Sequence, residues 1–488
     1  MKPTTEQQAI LDHFRNPDFG NTKIIAYAGT GKTTTLKMIA NEIPDKRILN
    51  LSFNKKIADE SALTFPKNVE SRTFHSFALR NLNGVVLAST PMEFVNLIKE
   101  RLDIKNFTVL WASYFTMNEF CQSSETLPIL PHIFNEKNLN KYEEKKLKQM
   151  QSQILDTTTK MWKSYMENPS TPCTHSMYLK KFSLLETIPV KDYDVIFVDE
   201  VQDSNPTMLD VLAKIDKQKV VVGDPYQQIF SFTGAINALD KVDFETFYLS
   251  QSFRWGDDVA SLSNKILVHL DSFNKEKPVR GTTDKITPTN FVGGLKPSKN
   301  HDAILCRYNK TCFSWMKYCY DNEIPYYNAM AEDLLKEYFT LLQLKSGKGD
   351  VIYYGYKKWL DLMDAIFGGD CHSPNPWIAI LISTGKDRYF AEVMSGSSNK
   401  GGCMEILTSH KSKGLEWDNV YIADDFFTSS DKIQLGEEEF RLYYVACTRA
   451  RKVLDVGSTY CEKFDKMGQV RASLLRQNRR DIEDLINK

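Results

Sequence analysis

The sequence predicts an α/β protein built on two parallel-sheet cores, and three observations predict it. Short β-branched runs alternate with helical patterns along most of the chain. The runs are apolar at consecutive positions rather than at every second one, the pattern of strands covered on both faces by helices. They also fall into two groups: KIIAYA (23–28), RILNLSF (47–53), DVIFVDE (194–200) and KVVVGD (219–224) come first, and AILCRY (303–308), CMEILTSH (403–410) and NVYIADDF (419–426) follow. At 488 residues the chain is roughly two to four times a usual domain, so more than one compact unit is expected.

Taken in order, MKPTTEQQAILDHF reads as the start of an amphipathic helix and lacks the basic-then-apolar pattern of a secretory signal. No apolar run approaches the ~20 residues a membrane helix needs. A soluble, intracellular protein is therefore expected, cytoplasmic in a bacterial or virus-infected cell and nuclear in a eukaryotic one. Strand 23–28 leads into AGTGKTTT, and strand 48–53 follows. Before the strand at 195–199 comes a long, mostly helical stretch that includes VLWASYFTMNEF (109–120) and the Lys/Glu-rich run Asn135–Asp156, which suits an exposed helix. This stretch reads as a helical insertion rather than part of a sheet. The 62 basic residues balance the 62 acidic ones, so net charge gives no argument for nucleic-acid binding and any such binding must come from a local groove. Nine cysteines are scattered without a CxxC pair; Cys306, Cys312 and Cys319 are too widely spaced for a zinc knuckle, and the thiols are read as reduced.

Two of the strands end in phosphate chemistry. After Lys23–Ala28, the residues Ala28, Gly29, Thr30, Gly31, Lys32, Thr33 and Thr34 form the tail of a phosphate-binding loop that opens a helix. Glycines let backbone N–H groups face phosphates, the helix N-terminus adds its positive end, Lys32 neutralises charge and Thr33 is placed to hold Mg²⁺. The general rule wants a further glycine where this chain has Ala26. The run Val195–Val198 ends in Asp199 and Glu200, two carboxylates at the edge of a strand where ligands of such sheets bind. Asp199 suits a Mg²⁺ ligand acting through water, and Glu200 suits the base that orients and deprotonates the attacking water.

Asp199-Glu200-Val201-Gln202-Asp203 resembles the DExQD box of superfamily 1 helicases of the UvrD/Rep group, and further stations follow in that group's order. The group's phosphate loop, AxAGxGKT, matches Ala26–Thr33 and accounts for the missing glycine. Thr5-Glu6-Gln7 resembles the motif whose glutamine reads adenine, with Gln8 as an alternative register. Phe53-Asn54-Lys55-Lys56 resembles motif Ia and Thr73-Phe74-His75 motif Ib. Gly223 to Ile229 resembles motif III, Leu249 to Arg254 motif IV, Thr408 to Glu416 motif V and Arg441 to Ala450 motif VI. Within the group, GDPYQQIFSFTGAINALD, FYLSQSFRWG and HKSKGLEWDNVYIADDF are most similar to the helicase portion of the F-box DNA helicases. Met1 stands a few residues before the glutamine motif, so an F-box and a ubiquitin-ligase adaptor role are not expected. With about forty residues after motif VI, a nuclease domain is not expected either.

The resemblance implies two RecA-like cores with a helical insertion in each and ATP bound between the cores. The first core would comprise 1–81 and 186–250 with its insertion at 82–185; the second would comprise 251–325 and 403–488 with a short insertion at 326–402. It also implies Arg254 and Arg449 as arginines that reach the γ-phosphate, Gln227 as the glutamine coupling ATP to DNA, Phe253 as the ring that stacks on adenine and Glu416 as the acid that meets the ribose. Guanidinium suits the first role because it is permanently charged and presents a fork to phosphate oxygens. DNA would be held by Phe53, Asn54, His75, Phe232 and His410, with aromatic faces stacking on bases without reading sequence. Phe232 stands where the group often has Trp, and Thr233 where it usually has Arg.

The expected function is thus an ATP- and Mg²⁺-dependent DNA helicase moving 3′ to 5′ on single strands and at single-strand/duplex junctions. The expected setting is replication, recombination or repair, without a membrane, and a monomer suffices. A single-strand-binding protein or a recombinase is the expected protein partner. An alternative is a translocase that mainly strips proteins such as recombinase filaments from single strands. A third reading, a nucleotide-dependent switch that binds DNA without moving, is disfavoured because Glu200 and both arginines are present.

Overall fold

The computed structural model describes residues 2–53, 55–129, 141–168, 170–229, 238–285, 287–292, 300–347, 356–368, 375–397, 403–427 and 436–457, with single positions 349, 351, 353 and 373. They divide into two compact units, one within Met1–Tyr27 and Gly31–Leu249, the other within Ala28–Thr30 and Ser250–Lys488.

The first unit carries a six-stranded sheet in the order β3-β2-β4-β5-β1-β6, formed by β1 (Thr22–Ala26), β2 (Ile48–Ser52), β3 (Val69–Thr73), β4 (Val195–Asp199), β5 (Gln218–Gly223) and β6 (Glu245–Leu249). Every pairing is parallel. The consecutive apolar residues have the two-sided use their pattern predicted. Val195 and Phe197 of β4, with Val220 and Val222 of β5, pack with Ile10, Phe14, Leu36 and Ile39 of the helices Thr5–Phe14 and Lys32–Glu42. Ile196, Val198 and Val221 point into a second cluster, shared with Phe94, Leu110, Phe120, Trp162 and Phe182 of the helical stretch between β3 and β4. Fully burying each such side chain is worth about 1.5–3 kcal/mol, so both faces of the sheet contribute.

The helices start where the sequence offers caps. Thr4 and Gln7 form a capping box on Thr5–Phe14, and Thr73 and Ser76 form another on Phe74–Arg80. The predicted Lys/Glu-rich helix appears as Lys141–Glu167; the start of that run, residues 135–140, lies outside the described residues.

The second unit has its own six-stranded sheet, ordered β7-β12-β11-β8-β10-β9 and likewise parallel. Its strands are β7 (Thr289–Val292), β8 (Ala303–Cys306), β9 (Tyr326–Tyr327), β10 (Met404–Thr408), β11 (Trp417–Ile422) and β12 (Ala450–Gly457). The residues between β9 and β10 form the helices Ala331–Ser346, Trp359–Gly368, Pro376–Ser383 and Phe390–Ser395. Leu334, Leu341, Leu362, Ile378, Phe390 and Val393 of these helices share one apolar cluster with Ile304, Met404, Ile406 and Tyr421 of the sheet. Two parallel-only sheets flanked by helices fit the RecA-like architecture expected from the sequence. Seven cysteines are described and all are free thiols. Among the described residues no helix is long and apolar enough to cross a membrane.

Candidate functional site

In the first unit, β5 lies between β1 and β4, so three neighbouring strands end together at the sheet's carboxyl edge, where ligands of such sheets bind. From β1 the chain enters the phosphate loop, with Gly29 at φ 71° and Gly31 at φ 81°, a left-handed backbone that favours glycine. Gly31 caps the helix Lys32–Glu42 without a side chain of its own, which leaves the first N–H groups of that helix to the solvent side, as anion binding requires. Thr33 Oγ1 donates to Asp199 Oδ2 at 3.1 Å and Lys32 Nζ lies 3.6 Å from Glu200 Oε1. The hydroxyl, ammonium and two carboxylates of the predicted site therefore meet across the ends of β1 and β4.

Glu200 is held in an unusual shape. Its backbone sits at φ 53°, ψ 43°, a left-handed conformation that costs a non-glycine residue about 1–2 kcal/mol and that collects at functional sites. Gln202 steadies it: Nε2 donates to Glu200 Oε2 at 2.5 Å while Oε1 accepts the Asp224 N–H at 3.1 Å. Asp224 in turn accepts from Gln227 Nε2 at 2.7 Å. One chain of hydrogen bonds thus links Glu200 to Gln227. Gly223 makes it possible, since a Cβ there would collide with Gln202 Oε1. Gln202 stands inside the DExQD box, yet its bridging role depends on the fold of two separate strand ends.

Asp199 is buried, 2% exposed. Burial, and then the neighbouring Glu200 charge, push its carboxyl upward, opposed by Lys32 and Thr33. Burial likewise pushes Asp224 up. Buried carboxylates with an adjacent hydroxyl are the oxygen donors that a Mg²⁺ ion with phosphate and water ligands prefers, and such an ion would offset the repulsion between Asp199 and Glu200. No group of three or more His, Cys, Asp or Glu positioned to enclose a metal occurs among the described residues.

In the second unit, Arg254 Nη1 donates to the Thr448 carbonyl at 2.8 Å and its Nε lies 2.6 Å from Glu416 Oε2. Arg449 is 2% exposed; its Nε donates to the Val445 carbonyl at 2.8 Å, its Nη1 to the Leu415 carbonyl at 3.3 Å and its Nη2 to Thr448 Oγ1 at 3.1 Å. Thr448, which the motif letters do not single out, therefore touches both arginines.

The chain matches the UvrD/REP helicase N-terminal domain over residues 4–242 and the UvrD-like helicase C-terminal domain over residues 390–461. It belongs to the UvrD-like helicase family. It is 30% identical to F-box DNA helicase 1 of Gallus gallus, over 93% of this chain and 49% of that protein. To F-box DNA helicase protein 1 of Schizosaccharomyces pombe it is 27% identical, over 94% of this chain and 58% of the relative. ATP-dependent DNA helicase PcrA of Staphylococcus epidermidis is 25% identical over 54% of this chain and 39% of its own length. The chain thus spans about half the length of the F-box relatives it matches.

Other expected residues of this UvrD-like chain fall in places with their own local chemistry. Gln7 is 2% exposed; Oε1 accepts the Thr4 N–H at 3.0 Å and Nε2 donates to Thr35 Oγ1 at 3.1 Å, so its amide already ties two helix starts together. Gln8 is less buried and donates to Asp12 at 2.8 Å. Phe53 packs partly buried at the end of β2, and Phe253 is half-buried. His75 stands edge-on to His175 and Tyr178, with centroids 6.3 and 5.9 Å away, and burial lowers it to about 4. Burial, with Arg307 nearby, lowers His410 to about 4 as well. Asn54, Phe232 and Thr233 lie outside the described residues.

Proposed function

We propose that this chain is an ATP-dependent DNA helicase that moves 3′ to 5′ on single-stranded DNA. The observation that carries the reading is the meeting of Lys32, Thr33, Asp199 and Glu200 at adjoining strand ends, with Glu200 wired through Gln202 and Asp224 to Gln227. In this reading Ala28, Gly29, Thr30, Gly31, Lys32, Thr33 and Thr34 cradle the phosphates of ATP, Thr33 and Asp199 hold Mg²⁺, and Glu200 accepts the proton of the attacking water. A Mg²⁺ held there would supply charge neutralisation for the phosphates. Binding ATP draws Lys32 from Glu200 towards phosphate, while the hydrogen bond from Gln202 keeps the Glu200 carboxylate oriented to act as base. Arg254 and Arg449 stabilise the charge that develops on the transferred phosphoryl group. Gln227 carries the state of the γ-phosphate into motif III, whose Phe232 stacks on a base; Phe53, Asn54, His75 and His410 complete the DNA contacts.

ATP hydrolysis with and without single-stranded DNA, run beside strand displacement on matched 3′-tailed and 5′-tailed duplexes, tests this. Stimulated hydrolysis with unwinding from the 3′ tail is expected. Unwinding from the 5′ tail alone would overturn the polarity. Stimulated hydrolysis without unwinding would favour a translocase that strips bound proteins, a reading supported by the short helical segment between β9 and β10.

A further inference from the structure

Glu416 and its neighbours contain a feature that the helicase motifs do not explain. The Glu416 carboxylate stands between two guanidiniums: Arg254 Nε is 2.6 Å from Oε2 and Arg451 Nη1 is 3.5 Å from Oε1. The nearer contact is an ion pair without a directed hydrogen bond, since the Arg254 Nε–H finds no acceptor in line. Arg254 is also the arginine that the proposed function sends to the γ-phosphate, so nucleotide binding removes the closer of the two cations. A carboxylate left alone beside a triphosphate would be repelled from it.

Arg451 does not depend on Glu416 for its position. Its Nη2 lies 2.7 Å from Asp418 Oδ1, and Lys452 Nζ lies 2.7 Å from Asp418 Oδ2. The backbone contributes as well. Trp417 pairs with Ala450, but the register between β11 and β12 then slips between Trp417 and Asn419. Such a bulge re-aims side chains, and it sets Arg451 and Lys452 of β12 opposite the single Asp418 of β11. Arg451 is thus tethered at one end and reaches Glu416 with the other, while 45% of its side chain remains exposed.

We infer that Arg451 is a positioning residue that holds Glu416 on the ribose hydroxyls of ATP once Arg254 has turned to the phosphates. This rests on the reading that Glu416 meets the ribose. Glu416 is shared between Arg254 and Arg451; when Arg254 serves the phosphates, the Asp418-tethered guanidinium stays beside it. Arg451 therefore bears on nucleotide affinity through the sugar, not on the phosphoryl step.

The test is steady-state hydrolysis by the full chain with ATP and with 2′,3′-dideoxyATP, for wild type, Glu416→Ala, Arg451→Ala, Arg451→Lys and Asp418→Asn. Wild type is expected to show the lower KM with ATP. Glu416→Ala is expected to erase that preference. Arg451→Ala is expected to raise KM for ATP about three- to fivefold, the upper range for one exposed ion pair, leaving KM for the dideoxy nucleotide and kcat unchanged. Arg451→Lys falls between, because an ammonium lacks the fork that reaches two carboxylates. Asp418→Asn raises KM for ATP in the same selective way and serves if Arg451→Ala misfolds. If Glu416→Ala erases the preference while Arg451→Ala and Asp418→Asn keep it, the positioning role is overturned. If Glu416→Ala leaves the preference intact, the ribose reading itself fails and takes this inference with it.

Discussion

Glu200 shows how much a single residue carries. It sits in a left-handed backbone that glycine would occupy at lower cost, and its carboxylate is shared between Lys32 and Gln202. Glu200→Gln is expected to leave ATP binding intact and slow hydrolysis by about 10²–10⁴, the usual contribution of a general base. Glu200→Gly is expected to lose hydrolysis as fully yet melt no lower than Glu200→Gln, since the strain is relieved; a calorimetric melt of both variants checks it. Lys32→Ala should abolish nucleotide binding, read by fluorescent-nucleotide titration. The buried histidines give a pH dependence. His75 and His410 are lowered from about 6.5 to about 4 in the folded chain, so between those values the unfolded chain binds more protons and stability rises with pH. Their contribution is complete above about pH 6.5 and is lost as pH falls towards 4; Tm measured from pH 7 to 5 should fall more for wild type than for His75→Gln. Lys32, Thr33, Asp199 and Glu200 could be singled out in the sequence because phosphate chemistry restricts which side chains serve. That Arg254 lies against Glu416 could not, because the motifs give each residue a role of its own and not its neighbours.

Elements explain why some residues defeat a sequence reading. Consecutive apolar positions identified β4 and β5 directly, because a strand with both faces covered leaves no polar period to misread. Lys180 is the opposite case. In the run MYLKKF it reads as the polar side of a helix, yet it is fully buried, over the Phe120 ring, with Nζ donating to the Ser123 carbonyl at 2.7 Å. A cation there suits the carboxyl end of helix Phe107–Gln122, and burial lowers its pKa. Thr207 Oγ1 has one proton for two carbonyls, Cys121 at 2.8 Å and Ser123 at 2.9 Å. Lys180→Met should therefore cost about 1–3 kcal/mol, since one buried carbonyl is left short of a donor, whereas Lys180→Ala should add a cavity worth about 2–5 kcal/mol. Denaturant melts of the two variants separate these outcomes. Gly223→Ala tests the strand end: displacing Gln202 should lower hydrolysis more than it lowers stability.

At the scale of the molecule, the two groups of strands announced two sheets, and the motif order announced the family, because both are properties of linear sequence. What linear sequence hid is how the segment between β9 and β10 is attached. Its helices read as an insertion, yet Leu334, Leu341, Ile378 and Phe390 complete the same apolar cluster as Ile304, Met404 and Ile406 of the sheet. Excising residues 331–395 and bridging the ends with a flexible linker is expected to yield protein that aggregates or melts well below the intact chain, measured by light scattering and calorimetry. A linker-bridged variant as stable as the intact chain would show that the segment is separable. The shared cluster makes this stretch a structural wall of the second unit: each of the helices Ala331–Ser346, Trp359–Gly368, Pro376–Ser383 and Phe390–Ser395 fills part of it, so removing any one would bare apolar surface of its neighbours.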